Sequence, residues 1–369
     1  MIRRLLLLNG LAAIGVVVNH ATGWGYTAMF WWAHRYRPVT SPNFDQMGGL
    51  SYFGLRGMEQ LIMFSIPAFL FVSGFFIAFA TKKNQSTVEW HVVGSRIKNL
   101  VIPYVIWSTI ILLGQVLQGD GVTAVEYIQT LLFGRAALPY YYVPLLIQFY
   151  LLSPILFVPA ARKNWKLLLL ITGLIQLAVL LARYPELLGL QIPAADAVGR
   201  MTPGWFFPGT VFWFALGVVA GFRIRPFKAW LDKYKWVFLG VTVLSFFLAI
   251  MDWEILLQRS GEWLTPTRTL LDEFYSGFFI LAFMAFQTAK VPYAKQVNDL
   301  GVHSYGIYLV HAPVLEYLSR AIYFVAPVIL GYQIIYQPIL IIAGIGIPML
   351  MMNLMNRSPV RKEYKYLFG

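Results

Sequence analysis

The chain contains no cysteine. That excludes disulfides, thiolate nucleophiles and cysteine metal sites, and says little about redox compartment. Charge is also scarce. Asp, Glu, Lys and Arg make up 12% of the 369 residues, against about 25% in a soluble globular protein. The five histidines, at 20, 34, 91, 303 and 311, show no metal-ligand spacing, so no metal is expected. No glycine loop for cradling phosphate stands out, and no permanently bound cofactor is expected. No internal repeat or low-complexity linker is evident.

What fills the chain is apolar. Hydrophobic residues make up 59%, and the mean hydropathy is +0.64. A membrane span needs about 20 predominantly apolar residues. Runs that approach this length lie at 5–25, 55–80, 100–117, 139–160, 166–184, 205–222, 236–252, 273–288, 302–325 and 333–354. The expected fold class is all-α: a polytopic transmembrane helical bundle of about ten spans, with residues 1–369 as one domain. Prolines 67, 103, 144, 154, 208, 313, 338 and 348 fall within or at the ends of these runs, where membrane helices tolerate them. Arg3 and Arg4 before Leu5–Val18 resemble a signal peptide. The run continues to Trp24 without a clean small-x-small site, so it is expected to stay as the first helix.

The net charge of +13 raises nucleic acid as a partner, but the basic residues cluster in short loops between apolar runs. With ten spans, 20 Lys and Arg fall on the side of the termini and 8 on the other, and Arg320 lies within a span. The positive-inside rule then places both termini in the cytoplasm. Asp45, Asp120, Glu126, Glu186, Asp196, Asp252, Glu254, Glu262, Asp272 and Glu273 fall on the outside. So do the two longest loops, 26–54 and 253–272. Trp and Tyr gather near span ends, where the aromatic belt is the default reading.

Several polar groups stand out against this background. His20, preceded by Asn19, lies about 22 Å along the first helix from Leu5 at 1.5 Å per residue. An imidazole titrates near neutral pH, and an intramembrane ionisable group is a candidate functional site. A neutral histidine bonded to a neighbouring helix remains the alternative. Ser304, Tyr308 and His311 are separated by four and three residues, which puts them on one helix face as a hydrogen-bond or proton path, or as interhelical bonds. Glu316 and Arg320, four apart, are expected to pair. Arg96 and Lys98 flank the third run where a cytoplasmic anion would arrive. Arginine grips phosphate bidentately and lysine adds a point charge, although such flanks are ordinary in cytoplasmic loops.

Together these segments resemble the acyltransferase-3 family of integral-membrane acyltransferases. His20 matches the histidine that ends that family's first-span motif. Ile66-Pro-Ala-Phe-Leu-Phe-Val-Ser-Gly-Phe-Phe76 resembles its second span, and Arg96 through Tyr104 its basic segment running into Pro-Tyr. Tyr140 through Pro154 resembles its fourth-span signature, and Ser304 through His311 its penultimate span. Two departures stand out. No acidic residue or arginine precedes His20 in Leu5–Ala13, and Asn99 occupies the position of the basic segment's second arginine.

The resemblance implies transfer of an acyl group, with acetyl the leading case, from acyl-CoA as co-substrate to a hydroxyl of a glycan or similar acceptor. It also implies a bacterial plasma (inner) membrane protein surrounded by lipid, with no nucleic acid partner. His20 is the expected base. Ser304, Tyr308 and His311 are further catalytic candidates. Arg96 and Lys98 would hold the donor's phosphates, and Asn19, Tyr141 and Tyr305 would contact substrate. A transporter or flippase for a glycan or lipid-linked saccharide is the rival class. A catalytically inactive assembly partner is a third.

Overall fold

The computed structural model describes residues 1–369 except 83, 120, 261, 262 and 264–267. Lys83, Asp120 and Glu262, counted above among the loop charges, lie outside the described residues. The described residues form helices and loops, with no strand among them. In order, the helices are α1 (Ile2–Tyr26), α2 (Leu50–Ile62), α3 (Ser65–Ala80), α4 (Trp90–Leu117), α5 (Ala124–Phe133), α6 (Tyr142–Leu152), α7 (Val158–Leu181) and α8 (Tyr184–Leu187). There follow α9 (Pro193–Met201), α10 (Val211–Phe222), α11 (Ile224–Ser260), α12 (Leu270–Ala285), α13 (Ala294–Val302), α14 (Ser304–Val325), α15 (Gln333–Arg357) and α16 (Tyr364–Phe368). All-helical structure follows from the composition. In hydrocarbon every backbone N–H and C=O must find its partner within the segment, and a helix achieves this locally.

Six helical stretches among the described residues are long and apolar enough to cross a membrane: Ile2–Trp31, Leu50–Ala80, Trp90–Leu117, Leu138–Leu187, Ile224–Ser260 and Gln333–Arg357. The remaining sequence runs also fall on helix, but differently. The runs at 139–160 and 166–184 join into one helical stretch broken at Asn164, whose φ and ψ are −152° and 82°. The Asn164 side-chain oxygen accepts from the Leu167 N–H at 3.1 Å and so caps the second leg. A second break, at Tyr234, separates the basic start of α11 from its apolar leg. The run at 205–222 is the shorter helical stretch Phe207–Phe222. The helix α12 has 16 residues, and α14 dilutes its apolar run with Tyr305, Tyr308, His311, Glu316 and Arg320. The expected outer loop at 253–272 is shorter than the sequence suggests, because α11 continues to Ser260.

Central to the bundle is α1, packed by α2, α3, α13, α14 and α15. Small residues allow this closeness, as is usual where helices associate without a hydrophobic driving force. Gly10 sits against the backbone of Val297, and Gly301 against that of Leu6 and Gly10, so a side chain at either would collide with backbone. Asn9 completes this pin. Its amide donates to the Gly301 carbonyl at 2.8 Å and to the Ser304 hydroxyl at 2.9 Å. The register of α1 against the start of α14 is thereby set, and with it the meeting of the two intramembrane histidines higher up.

Candidate functional site

About two turns into α14 from Ser304, His311 is fully buried. Its Nδ1–H donates to the Ile307 carbonyl at 3.0 Å; a carbonyl can only accept, which fixes the proton on Nδ1. Its Nε2 is enclosed and has no partner among the described residues, so it presents a free lone pair. The His20 ring lies beside it, with centroids 5.2 Å apart and planes tilted by 43°. Two imidazoles thus face each other, one locked in tautomer by the backbone and the other free to meet a ligand.

His20 borders two cavities. The larger, about 580 Å³, is lined by Asn19, His20, Glu59, Tyr141, Arg183 and Arg268 among others. Trp31 and Trp263 stand in its wall, 6.3 Å apart and nearly edge to face. Trp31 closes a π-helical turn, Thr27–Trp31, that extends α1 past its regular end. Such a turn re-aims side chains and is common at functional sites. The smaller cavity, about 220 Å³, lies between α1, α4 and α14 and is lined by His20, Gln115, Gln118, Glu316 and Arg320 among others. Leu138 and Pro139 line both spaces along with His20. The imidazole therefore stands in the partition between two chambers.

The charges around the larger chamber are held in place. Arg268 pairs with Glu273 at 3.1 Å and donates to the Met63 carbonyl at 2.6 Å. Glu273 also accepts from Gln176 and from the Trp213 indole, each at 2.8 Å. Glu59 pairs with buried Arg56, which also meets Glu254 at 3.5 Å. Arg183 donates to the Thr202 carbonyl at 2.9 Å and has no carboxylate partner among the described residues. The Tyr141 hydroxyl has no hydrogen-bond partner among the described residues, and both arginines act on it electrostatically.

The sequence-predicted residues divide into two groups. Asn19, His20, Tyr141, Tyr308 and His311 come together at the chambers. Tyr308 stacks on Tyr305 with centroids 6.0 Å apart and donates its hydroxyl to the Pro139 carbonyl. Tyr305 donates to the Leu100 carbonyl at 2.5 Å and lines neither chamber. Ser304 accepts from Asn9, at the opposite end of the α14 segment from His311. Arg96 reaches the Phe76 carbonyl at 3.4 Å and lies 5.7 Å over the Tyr150 ring, while Lys98 is exposed; neither borders a chamber. Along α4 from Arg96 to Gln115 is 19 residues, about 28 Å of helix. Glu316 and Arg320 do pair, at 2.9 Å, half exposed.

Sequence reasoning passed over Glu59, Arg183, Arg268, Trp31 and Trp263 as site residues. Glu59 was open to discovery: it is an acid inside an apolar run, three residues from Arg56, the same spacing argument that singled out Glu316 and Arg320. The others gave no local signal, because they converge from separate loops and helix ends.

Comparison with known proteins adds an independent line. The profile of an acyltransferase domain family matches residues 3–353. A Bacillus subtilis protein assigned by name as a membrane-bound acyltransferase, YfiQ, is 26% identical over 263 residues, covering 69% of this chain and 68% of its own. A Staphylococcus aureus protein named for poly-beta-1,6-N-acetyl-D-glucosamine export is 22% identical over 268 residues, covering 71% of each chain. No solved structure matches the chain.

Proposed function

The chain belongs to the acyltransferase-3 family of membrane acyltransferases, and from that premise we propose that it moves an acyl group from acyl-CoA to a hydroxyl of a glycan or similar acceptor. The observation that carries this reading is the position of His20 between two chambers, with His311 behind it. Group transfer needs two substrates to meet at one base. A saccharide suits the larger chamber, because Trp31 and Trp263 offer flat apolar faces and Asn19, Glu59, Tyr141 and the arginines offer hydrogen bonds. The acyl end of the donor suits the smaller one.

In this reading the His20 imidazole removes the acceptor's hydroxyl proton as the oxygen attacks the thioester carbonyl. The new C–O bond forms, the C–S bond breaks, and the CoA thiolate takes up the proton that His20 holds. A positioned base contributes about 10²–10⁴-fold to such a step. The carbonyl oxygen gains negative charge in the transition state, and donors preorganised around it stabilise that charge. The Tyr141 hydroxyl and the Asn19 amide are the candidates. Tyr305 and Tyr308 are less suited, since each phenol already donates to a backbone carbonyl. Arg96 and Lys98 would hold the donor's phosphates at the cytoplasmic mouth. About ten spans, cytoplasmic termini and the bacterial inner membrane complete the proposal, supported by the 20 to 8 division of basic residues and the positive-inside rule.

The test is mass spectrometry of cell-surface glycans from cells with and without the gene. A shift by one acyl mass, present only with the protein, is the expected result, and identical spectra would overturn it. The relative named for export favours a second reading, passage of a saccharide through the chambers. Transport of that kind would continue in purified vesicles without acyl-CoA; acyl transfer would stop.

A further inference from the structure

Arg183 and Arg268 wall a second space behind the larger His20 chamber. This neck, of about 100 Å³, also shares Ile66 and Tyr141 with the chamber. Beyond the neck lies an apolar groove of about 390 Å³ between α7, α10 and α12, which shares Gln176, Leu180 and Glu273 with it. Three neighbouring spaces with walls in common thus lie in order from the His20 imidazole to the α7–α12 face, and the bonded pair Gln176–Glu273 stands between the last two.

Each space has its own chemistry. The groove is hollow because α7 and α12 present Gly173 and Gly277 to it; a Cβ at Gly173 would meet only the Phe212 ring at 3.6 Å, and one at Gly277 the Trp213 ring at 3.0 Å. From Glu273 to Leu281 the groove follows α12 for about 12 Å, room for a hydrocarbon chain. The neck is cationic. Glu273 offsets Arg268, but Arg183 has no carboxylate partner among the described residues. The Thr210 hydroxyl, also in the neck, is enclosed and unpartnered. A guanidinium with spare donors beside an unsatisfied hydroxyl is suited to a phosphate.

We propose that the acceptor is a lipid-phosphate-linked saccharide. Its hydrocarbon chain lies in the α7–α10–α12 groove, its phosphate sits at Arg183 and Arg268, and its sugar hydroxyl meets His20. This rests on the acyl-transfer reading for the sugar end, and gives that reading a substrate class. The order apolar groove, cationic neck, polar chamber matches the order chain, phosphate, sugar in such a molecule, and a free oligosaccharide would leave the first two empty.

Binding of a brominated geranylgeranyl phosphate to the full chain in phosphatidylcholine nanodiscs tests this, because Trp213 and Trp230 wall the groove and bromine quenches their fluorescence. The lipid phosphate should bind at least about tenfold more tightly than the brominated alcohol. Arg183→Gln should weaken it by a similar factor, Gly173→Leu should abolish quenching by filling the groove, and Lys362→Ala, exposed and outside all three spaces, should bind as wild type. Equal binding of alcohol and phosphate, equal binding of brominated phosphatidylglycerol (a bilayer lipid only), or undiminished binding by Arg183→Gln or Gly173→Leu in folded protein would overturn it. The readout involves no acyl transfer. Loss of transfer with intact lipid-phosphate binding would sink the acyl-transfer reading alone, and transfer without such binding would sink this inference alone.

Discussion

The His20 end of α1 and the Arg96 end of α4 are both polar sites that the sequence singles out, and the protein builds them differently. At His20, side chains from at least five segments converge on enclosed space, and their charges are paired or bonded. At Arg96 and Lys98 nothing converges: one guanidinium leans on a carbonyl and a ring, and the ammonium is exposed. Between them the interior is packed by Tyr104, Tyr140, Tyr305 and Tyr308, and by Phe368 of α16, whose neighbour Leu367 accepts from the Trp107 indole at 2.9 Å. The lesson is that polar groups are fixed in place at one end, while under the proposed reaction donor entry requires movement at the other. Enclosed, over-determined sites perform chemistry, and less packed ends supply the motion that admits substrate.

Four perturbations sharpen this contrast, taken from the largest effect down. Arg56→Ala strands Glu59 and Glu254 in the wall behind the chamber. Removing one partner of a buried pair costs about 3–5 kcal/mol, so a marked drop in Tm is expected by differential scanning fluorimetry; an unchanged Tm would mean the wall is not over-determined. His311→Phe keeps the ring and removes the Nε2 lone pair. Acyl transfer should fall about 10²-fold, the lower range for an assisting proton-transfer group, with folding intact.

At the open end, Arg96→Ala and Lys98→Ala should raise KM for acyl-CoA about tenfold together, the scale of lost charge-assisted bonds, and leave kcat near wild type. A fall in kcat with KM unchanged would place these residues nearer the chemistry than their exposure indicates. Smallest is the capping box of α5. The Thr123 backbone N–H and hydroxyl hold the Glu126 carboxyl below its usual range. A lowered folded-state pKa stabilises above the unfolded value of about 4.3 and is lost as pH falls through the folded one. Amides at the start of α5 should therefore exchange faster as pH is lowered below about 4, after correction for intrinsic rates.

How much of this was legible in the sequence follows the range of the interactions. His20 and His311 were legible because a polar residue in an apolar run is a local anomaly. Glu316 and Arg320 were legible from spacing alone. The separation of 139–160 from 166–184 was legible from the Arg-Lys-Asn interruption, where Asn164 breaks the helix. Ser304 shows where spacing stops: it shares a face with Tyr308, but its hydroxyl is taken by Asn9 of another helix. Arg183, Arg268 and Trp263 belong to the chambers only through tertiary convergence. In a linear reading they are loop charges and an interface tryptophan.

The central claim is that His20 is the base between two chambers. The absence of cysteine makes it directly measurable, because thiol released from acetyl-CoA is the only thiol in a reaction with the purified protein. Thiol release should depend on an added saccharide acceptor and should fall by about 10²-fold or more in His20→Ala with Tm unchanged. Acceptor-dependent release near the wild-type rate from folded His20→Ala would contradict the account.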